Sequence, residues 1–114
     1  MDVTRRQHLT QEDRTLIVNT PITVNRLTIP NRILRSATME NMADAQGTVT
    51  DALVRLYRTV AKGGAGLIVV GASAVDPPGR VWQHQLALWS DGDIAALSRI
   101  PTAIHESGEG KCAI

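Results

Sequence analysis

Residues 50–70 read T-D-A-L-V-R-L-Y-R-T-V-A-K-G-G-A-G-L-I-V-V, and few folds accept that order. Thr50 is a good helix N-cap, and Asp51 suits the positive end of the helix it opens. Leu53, Leu56, Tyr57 and Val60 recur at i, i+3, i+4 and i+7, which makes one apolar stripe. Arg55, Arg58 and Lys62 fall largely off that stripe, and the last two favour the negative C-terminal end. Gly63 and Gly64 stop the helix, because glycine takes a left-handed cap without strain. The run G-L-I-V-V at 66–70 is short, continuously apolar and bounded by glycine. Such a run fits a strand buried on both faces, hence a parallel sheet. The spacing therefore predicts a helix over 51–62 and a buried strand over 66–70.

The flanking sequence extends this into a β-α-β unit. Residues 33–37 are predicted as the first strand. Residues 39–49 form a loop, with turn chemistry from Asp44, Gln46 and Gly47. Upstream, Ile22, Val24, Leu27 and Ile29 alternate on either side of Asn25-Arg26, a hairpin signal that Pro30 closes. Downstream, residues 71–89 read as a long loop turning at Pro77-Pro78-Gly79. Ser90 and Asp93 can cap a second helix that carries Ile94, Leu97, Ile100 and Ile104 inward. Pro101 either kinks that helix or opens a second segment. Glycines 108 and 110 end it, and residues 111–114 start a third strand. Strand, helix, strand, helix, strand is the opening of an α/β fold. The chain stops on an apolar residue inside that strand, so the reading expects a fold with its remainder missing.

Composition removes several function classes. Aromatic residues make up 3% of the chain, with no Phe, so the core must be aliphatic. The net charge of +1 comes from mixed signs, and Arg5-Arg6 is too short a cluster for a nucleic-acid footprint. A single cysteine, Cys112, excludes an internal disulfide framework or a multi-cysteine zinc site; it reads as a small buried hydrophobe. Residues 1–14 are polar and lack a secretory signal, and the longest apolar run, 65–75, is well short of the ~20 residues of a membrane span. The expectation is a soluble, cytoplasmic protein with a polar leader over residues 1–19 and neither nucleic acid nor membrane as a partner. His8, His84 and His105 make no cluster, and His84 reads as a surface residue. Glu40 and Asp44 read as solvated loop carboxylates. Tyr57 reads as core packing rather than a proton donor. The glycines at 63–66 follow a helix and precede a strand, the reverse of a phosphate cradle. Ligand contacts are expected where strands end, at residues 36–39 and 71–73.

An ordered set of short motifs carries a family resemblance. It comprises Pro30-Asn31-Arg32-Ile33, Arg35-Ser36-Ala37-Thr38, Gly47, Tyr57-Arg58 and Gly63-Gly64-Ala65-Gly66-Leu67-Ile68. Val75-Asp76-Pro77-Pro78-Gly79-Arg80, Trp89-Ser90-Asp91 and Gly110-Lys111 continue it. Over residues 20–114 the set resembles the old yellow enzyme family of NADH:flavin oxidoreductases, nearest the branch of enoate and dienoyl-CoA reductase-like members. The resemblance implies the N-terminal fragment of a (β/α)8 TIM barrel with a hairpin closing its bottom, the barrel incomplete. It also implies FMN as cofactor, NADH or NADPH as reductant, and a small alkene or enone-type substrate. Ser36, Ala37, Thr38 and Met39 would face the flavin. Thr38 could donate a hydrogen bond to a flavin carbonyl oxygen, and Met39 could not. Gly71 would permit close backbone approach, and Ala72 would be the small residue after the second strand. The family's substrate-gripping pair, tyrosine proton donor and phosphate-binding loops come later than Ile114, so no catalytic residue is assigned here. Two other readings follow: a catalytically silent fragment, or a small interaction protein that pairs through an open strand edge, with self-association as the simplest case.

Overall fold

The computed structural model describes residues 16–114. The predicted leader, with Arg5, Arg6 and His8, lies outside the described residues except for its last few. Among these, Ile17–Asn19 form a 3-10 turn.

The hairpin forms as β1 (Ile22–Val24) and β2 (Leu27–Ile29), antiparallel, with Val24 opposite Leu27 and Ile22 opposite Ile29. Asn25 makes the turn at φ 53°, a conformation that asparagine tolerates better than most side chains. The first main strand, β3, is only Leu34–Arg35, shorter than the predicted 33–37. Residues 36–39 leave the ladder at once and run as exposed or half-buried chain.

Helix α1 spans Asp51–Lys62 as predicted. The Thr50 hydroxyl accepts from the Leu53 N–H at 3.2 Å and donates to the Met42 carbonyl at 2.6 Å. That one side chain caps the helix and ties it to the preceding loop. Leu53, Val54, Tyr57 and Ala61 are buried, while Leu56 and Val60 are half-buried. The buried face is thus turned slightly from the predicted stripe. Gly64 takes the left-handed conformation at φ 93°, and Gly63 stays right-handed.

Strand β4 (Leu67–Val69) pairs in parallel with β3 on one side and with β7 (Lys111–Ala113) on the other. In the order β3-β4-β7 the middle strand buries Ile68 fully, while Leu67 and Val69 on its other face are only half-buried, so the predicted burial on both faces is met on one. Sequence reasoning missed a second parallel pair inside the long loop, β5 (Ser73–Ala74) with β6 (Leu86–Ala87). The pair is too short to leave a periodic signal.

After β6, Ser90 and Asp93 cap a 3-10 turn at Asp91–Asp93, with the Ser90 N–H donating to Asp93 Oδ2 at 3.1 Å. Helix α2 (Ile94–Leu97) ends at Ser98, and α3 runs Arg99–Ser107. Pro101 therefore sits in the first turn of α3, where a missing N–H costs little, and the two-segment alternative is the one observed. Ile94 is 61% exposed rather than inward, while Leu97 of the same short helix is buried in the core. Ile100 and Ile104 pack against Leu53, Tyr57, Ala61 and Ile68 in one aliphatic core.

Candidate functional site

β3 and β4 run in parallel, so their C-terminal ends open on the same side of the sheet. The chain leaving β3 there carries Ser36, Ala37 and Thr38, all exposed, and then half-buried Met39. The chain leaving β4 carries buried Gly71 and exposed Ala72. The Thr38 carbonyl lies so close to Gly71 that any Cβ there would fall inside the 3.0 Å that real side chains keep. Four of the six predicted contact residues, Ser36, Ala37, Thr38 and Ala72, thus form a small-residue surface at neighbouring strand ends, with half-buried Met39 beside them and Gly71 buried. The close approach at Gly71 is made by Thr38 and by the Glu40 carboxylate. The Thr38 hydroxyl donates to the Ser36 carbonyl at 3.2 Å.

Under this surface lies a polar cluster that sequence reasoning did not find. The Glu40 side chain is 7% exposed and pairs with the Arg35 guanidinium at 2.6 Å. It also accepts from the Tyr57 hydroxyl at 2.8 Å. Tyr57 in turn accepts from the Gly71 N–H at 2.8 Å and from Arg35 at 3.4 Å. Arg35 donates further to the Val69 carbonyl at 3.1 Å and lies 5.2 Å from the centre of the Tyr57 ring. Glu40 is therefore not a solvated loop residue. Tyr57 packs in the core as expected, and its hydroxyl joins three elements. A buried tyrosine needs a partner for its hydroxyl, which was the available signal; its identity depends on topology.

Electrostatics follow from this packing. Burial pushes the Tyr57 phenol up to about 12, and the neighbouring Glu40 adds to the rise. Burial opposes the charge on Arg35, but its bond to Glu40 and the facing Tyr57 raise its pKa overall. Burial also raises the Cys112 thiol, which is half-buried against the core.

The edge of the site is stitched by long-range bonds. The Ala43 N–H donates to the His84 carbonyl at 2.9 Å, and the His84 N–H donates to Asn41 Oδ1 at 3.0 Å. His84 Nδ1 stands 3.0 Å from the Ala43 carbonyl. His84 is thus half-buried and structural, not a free surface residue. Asp44 closes its own turn by accepting from the Gln46 and Thr48 N–H groups. Gln85, buried at 5% exposure, accepts from Val81 and Trp82 and folds the long loop back on itself. Among the described residues no group of His, Cys, Asp and Glu could hold a metal ion. No helix there is long and apolar enough to cross a membrane.

The profile of the NADH:flavin oxidoreductase / NADH oxidase family matches residues 18–114. The chain belongs to that family. A curated relative, the NADPH dehydrogenase of Bacillus subtilis (strain 168), is 37% identical over 90 residues, covering 78% of this chain and 27% of the relative. The chain thus spans about a quarter of that relative's length. Among solved structures, a 2-naphthoyl-CoA reductase in complex with 2-naphthoyl-CoA superposes with a TM-score of 0.80 at 25% identity. That match covers 84% of this chain and 14% of the reductase. An old yellow enzyme from Pichia sp. AKU4542 gives a TM-score of 0.77 at 20% identity over 84% of this chain and 25% of its own, a likeness of fold. These neighbours are TIM barrels. The chain carries the hairpin and opening βα units of that architecture, and its described residues form no closed barrel.

Proposed function

We propose that this chain supplies part of the bed on which FMN sits in an ene-reductase-like, NAD(P)H-dependent oxidoreductase. Family membership supports this, together with one observation: small exposed residues at the ends of two parallel strands. In barrels of this kind, ligands bind at the C-terminal strand ends. When bound, FMN supplies hydride transfer from NADH or NADPH to an activated alkene or enone-type acceptor. The protein residues bind and orient. Ser36 and Ala37 offer backbone and little bulk. Thr38 can turn its hydroxyl from the Ser36 carbonyl to an acceptor on the cofactor, which Met39 lacks the hydrogen to do. Ala72 keeps the surface flat, and Gly71 lets Thr38 settle low enough to be part of it. In this reading residues 20–114 are the first part of the barrel, residues 1–19 precede it as a leader, and the protein works in the cytoplasm.

Titrating FMN into two proteins tests the proposal. One is the chain itself; the other is the chain joined to the C-terminal remainder of the Bacillus subtilis relative. The joined protein should purify yellow, and the chain alone should bind weakly, because the family's phosphate-binding loops come from later segments. A folded but colourless joined protein that ignores added FMN would overturn the reading.

A second reading has its own support. β3 and β7 are edges of the three-stranded sheet, and Ile33 and Leu34 at the β3 edge are 45% and 56% exposed. Open apolar edges pair with other chains. We propose that the chain alone is catalytically silent and self-associates there. A sedimentation profile independent of concentration would argue against it.

A further inference from the structure

We propose that Arg35, Glu40 and Tyr57 form a positioning device that presets residues 36–39 against the end of β4, before any ligand arrives. The inference rests on the flavin reading above for its purpose, but not for its geometry. β3 stops at Arg35, so the ladder does not hold the chain that follows. Something else must, because free loop chain samples many conformations. Glu40 provides the anchor. It lies at the far end of the segment, and its carboxylate reaches back to the Arg35 guanidinium at 2.6 Å. The segment is thereby closed into a short loop whose two ends are joined by an ion pair.

The other two contacts fix that loop in space. The Tyr57 hydroxyl donates to Glu40 at 2.8 Å and accepts from the Gly71 N–H at 2.8 Å. One hydroxyl therefore joins the loop to the end of β4, while the ring is held in the core by α1. Arg35 also donates to the Val69 carbonyl at 3.1 Å. Every polar side-chain atom buried in the described residues has a partner, so the cluster is complete without a ligand. Arg35, Glu40 and Tyr57 spend their polar groups on one another, on the Val69 carbonyl and on the Gly71 N–H. They are positioning residues and touch no substrate.

The purpose follows from the surface above. Ser36, Ala37 and Thr38 are small and exposed, so they bury little that would hold the segment, and the Thr38 bond to the Ser36 carbonyl is local to it. A bed fixed in advance spares the ligand the entropy of ordering it. A bed left loose would charge that cost to every binding event.

The test separates positioning from plain stability. Replacing a buried ion pair by apolar groups of similar size often leaves stability unchanged or improved. The double variant Arg35→Met/Glu40→Leu should therefore fold with α1 as protected as before. Hydrogen–deuterium exchange on the chain should then show residues 36–41 and Gly71 exchanging about tenfold faster or more. FMN titration of the joined protein described above should show binding weakened by a similar factor. Glu40→Gln, a milder change, should give an intermediate exchange rate at the same amides, and it serves if the double variant does not fold. Val54→Ala, which loosens the core without touching the cluster, should leave the ratio of exchange in residues 36–41 to exchange in α1 unchanged. Unaltered exchange at 36–41 in the double variant, or in Glu40→Gln if only that folds, sinks the device. Faster exchange there with FMN bound by neither joined protein upholds the device and rejects the flavin reading instead.

Discussion

Tyr57→Phe is the sharpest perturbation, because it keeps the ring and removes one oxygen. The ring is fully buried, at 0% exposure, so the phenylalanine fills nearly the same space. Three contacts vanish: the donation to Glu40 at 2.8 Å, the bond from the Gly71 N–H at 2.8 Å and the longer one from Arg35 at 3.4 Å. Gly71 is buried, and an N–H stranded inside costs about 1–3 kcal/mol. Glu40 loses a charge-assisted bond, worth about 1.5–3 kcal/mol, but keeps Arg35. These losses overlap, and we expect a total of about 2–4 kcal/mol. A small protein loses about 1–3 kcal/mol of stability per molar urea, so the urea midpoint should fall by about 1–2 M.

The pH dependence gives a second check. The Tyr57 pKa rises from 10.0 to about 12 on folding, so the folded state holds that proton more tightly than the unfolded state. The associated stability is complete below pH 10 and is lost as pH rises towards 12. The gap between the native and Tyr57→Phe midpoints should therefore shrink over that interval. Tyr57 is the only tyrosine, so the phenolate absorbance of the native chain reports it alone. A loss of stability under about 0.5 kcal/mol, the size of an ordinary surface change, or a midpoint gap that stays constant from pH 10 to 12, would refute the reasoning.

Three further outcomes are expected. Thr50→Ala removes both the cap on Leu53 and the bond to Met42 and should cost about 1–2 kcal/mol, read as a lower urea midpoint. Pro101→Ala should be within about 0.5 kcal/mol of neutral or slightly destabilising, since Pro101 lies in the first turn of α3; a gain near 3 kcal/mol would mean that the proline breaks a continuous helix. Ala72→Leu places bulk on an exposed position, so the midpoint should hardly move, while the joined protein should lose its flavin absorbance; a normally yellow Ala72→Leu protein contradicts the placement of Ala72.

What the sequence disclosed was what local physics decides. The α1 boundaries were readable because Thr50, Asp51 and the two glycines each act within one helical turn. The strand within residues 66–70 was readable because a short apolar run after a glycine stop seeks a sheet, although only Ile68 of Leu67–Val69 is buried. The surface at Ser36–Thr38 and Ala72 was reachable because strand ends follow from strand order. The cluster beneath was not, since Glu40 meets Tyr57 17 residues away and Arg35 meets Val69 34 residues away. No periodicity encodes those distances. Glu40 sits in a polar stretch and looks like every solvated carboxylate until the sheet brings Gly71 beside it. His84 and Gln85 escaped for the same reason, as did the β5–β6 pair. Ile94 was misplaced because it opens its helix straight after the 3-10 turn at Asp91–Asp93, where a stripe read at helical spacing does not yet decide burial.

The bonds between Ala43 and His84, and between Gly47 and Ala87, have a consequence during synthesis. The Ala87 N–H donates to the Gly47 carbonyl at 2.9 Å, and the two bonds span 40 and, for Ala43 and His84, 41 residues. A ribosome adds about 5–20 residues per second, so the partners of the first loop emerge roughly two to eight seconds after it. For that interval the loop has only its own Asp44 turn to shape it. Hairpins and helices form in microseconds, but a lone helix of this length is marginal in water, and α1 packs on Ile100 and Ile104, which emerge later still. The nascent chain therefore waits with both the helix and the rim unsupported. Slowing translation across residues 50–84 lengthens that exposure and gives chaperones or neighbouring chains longer to engage it.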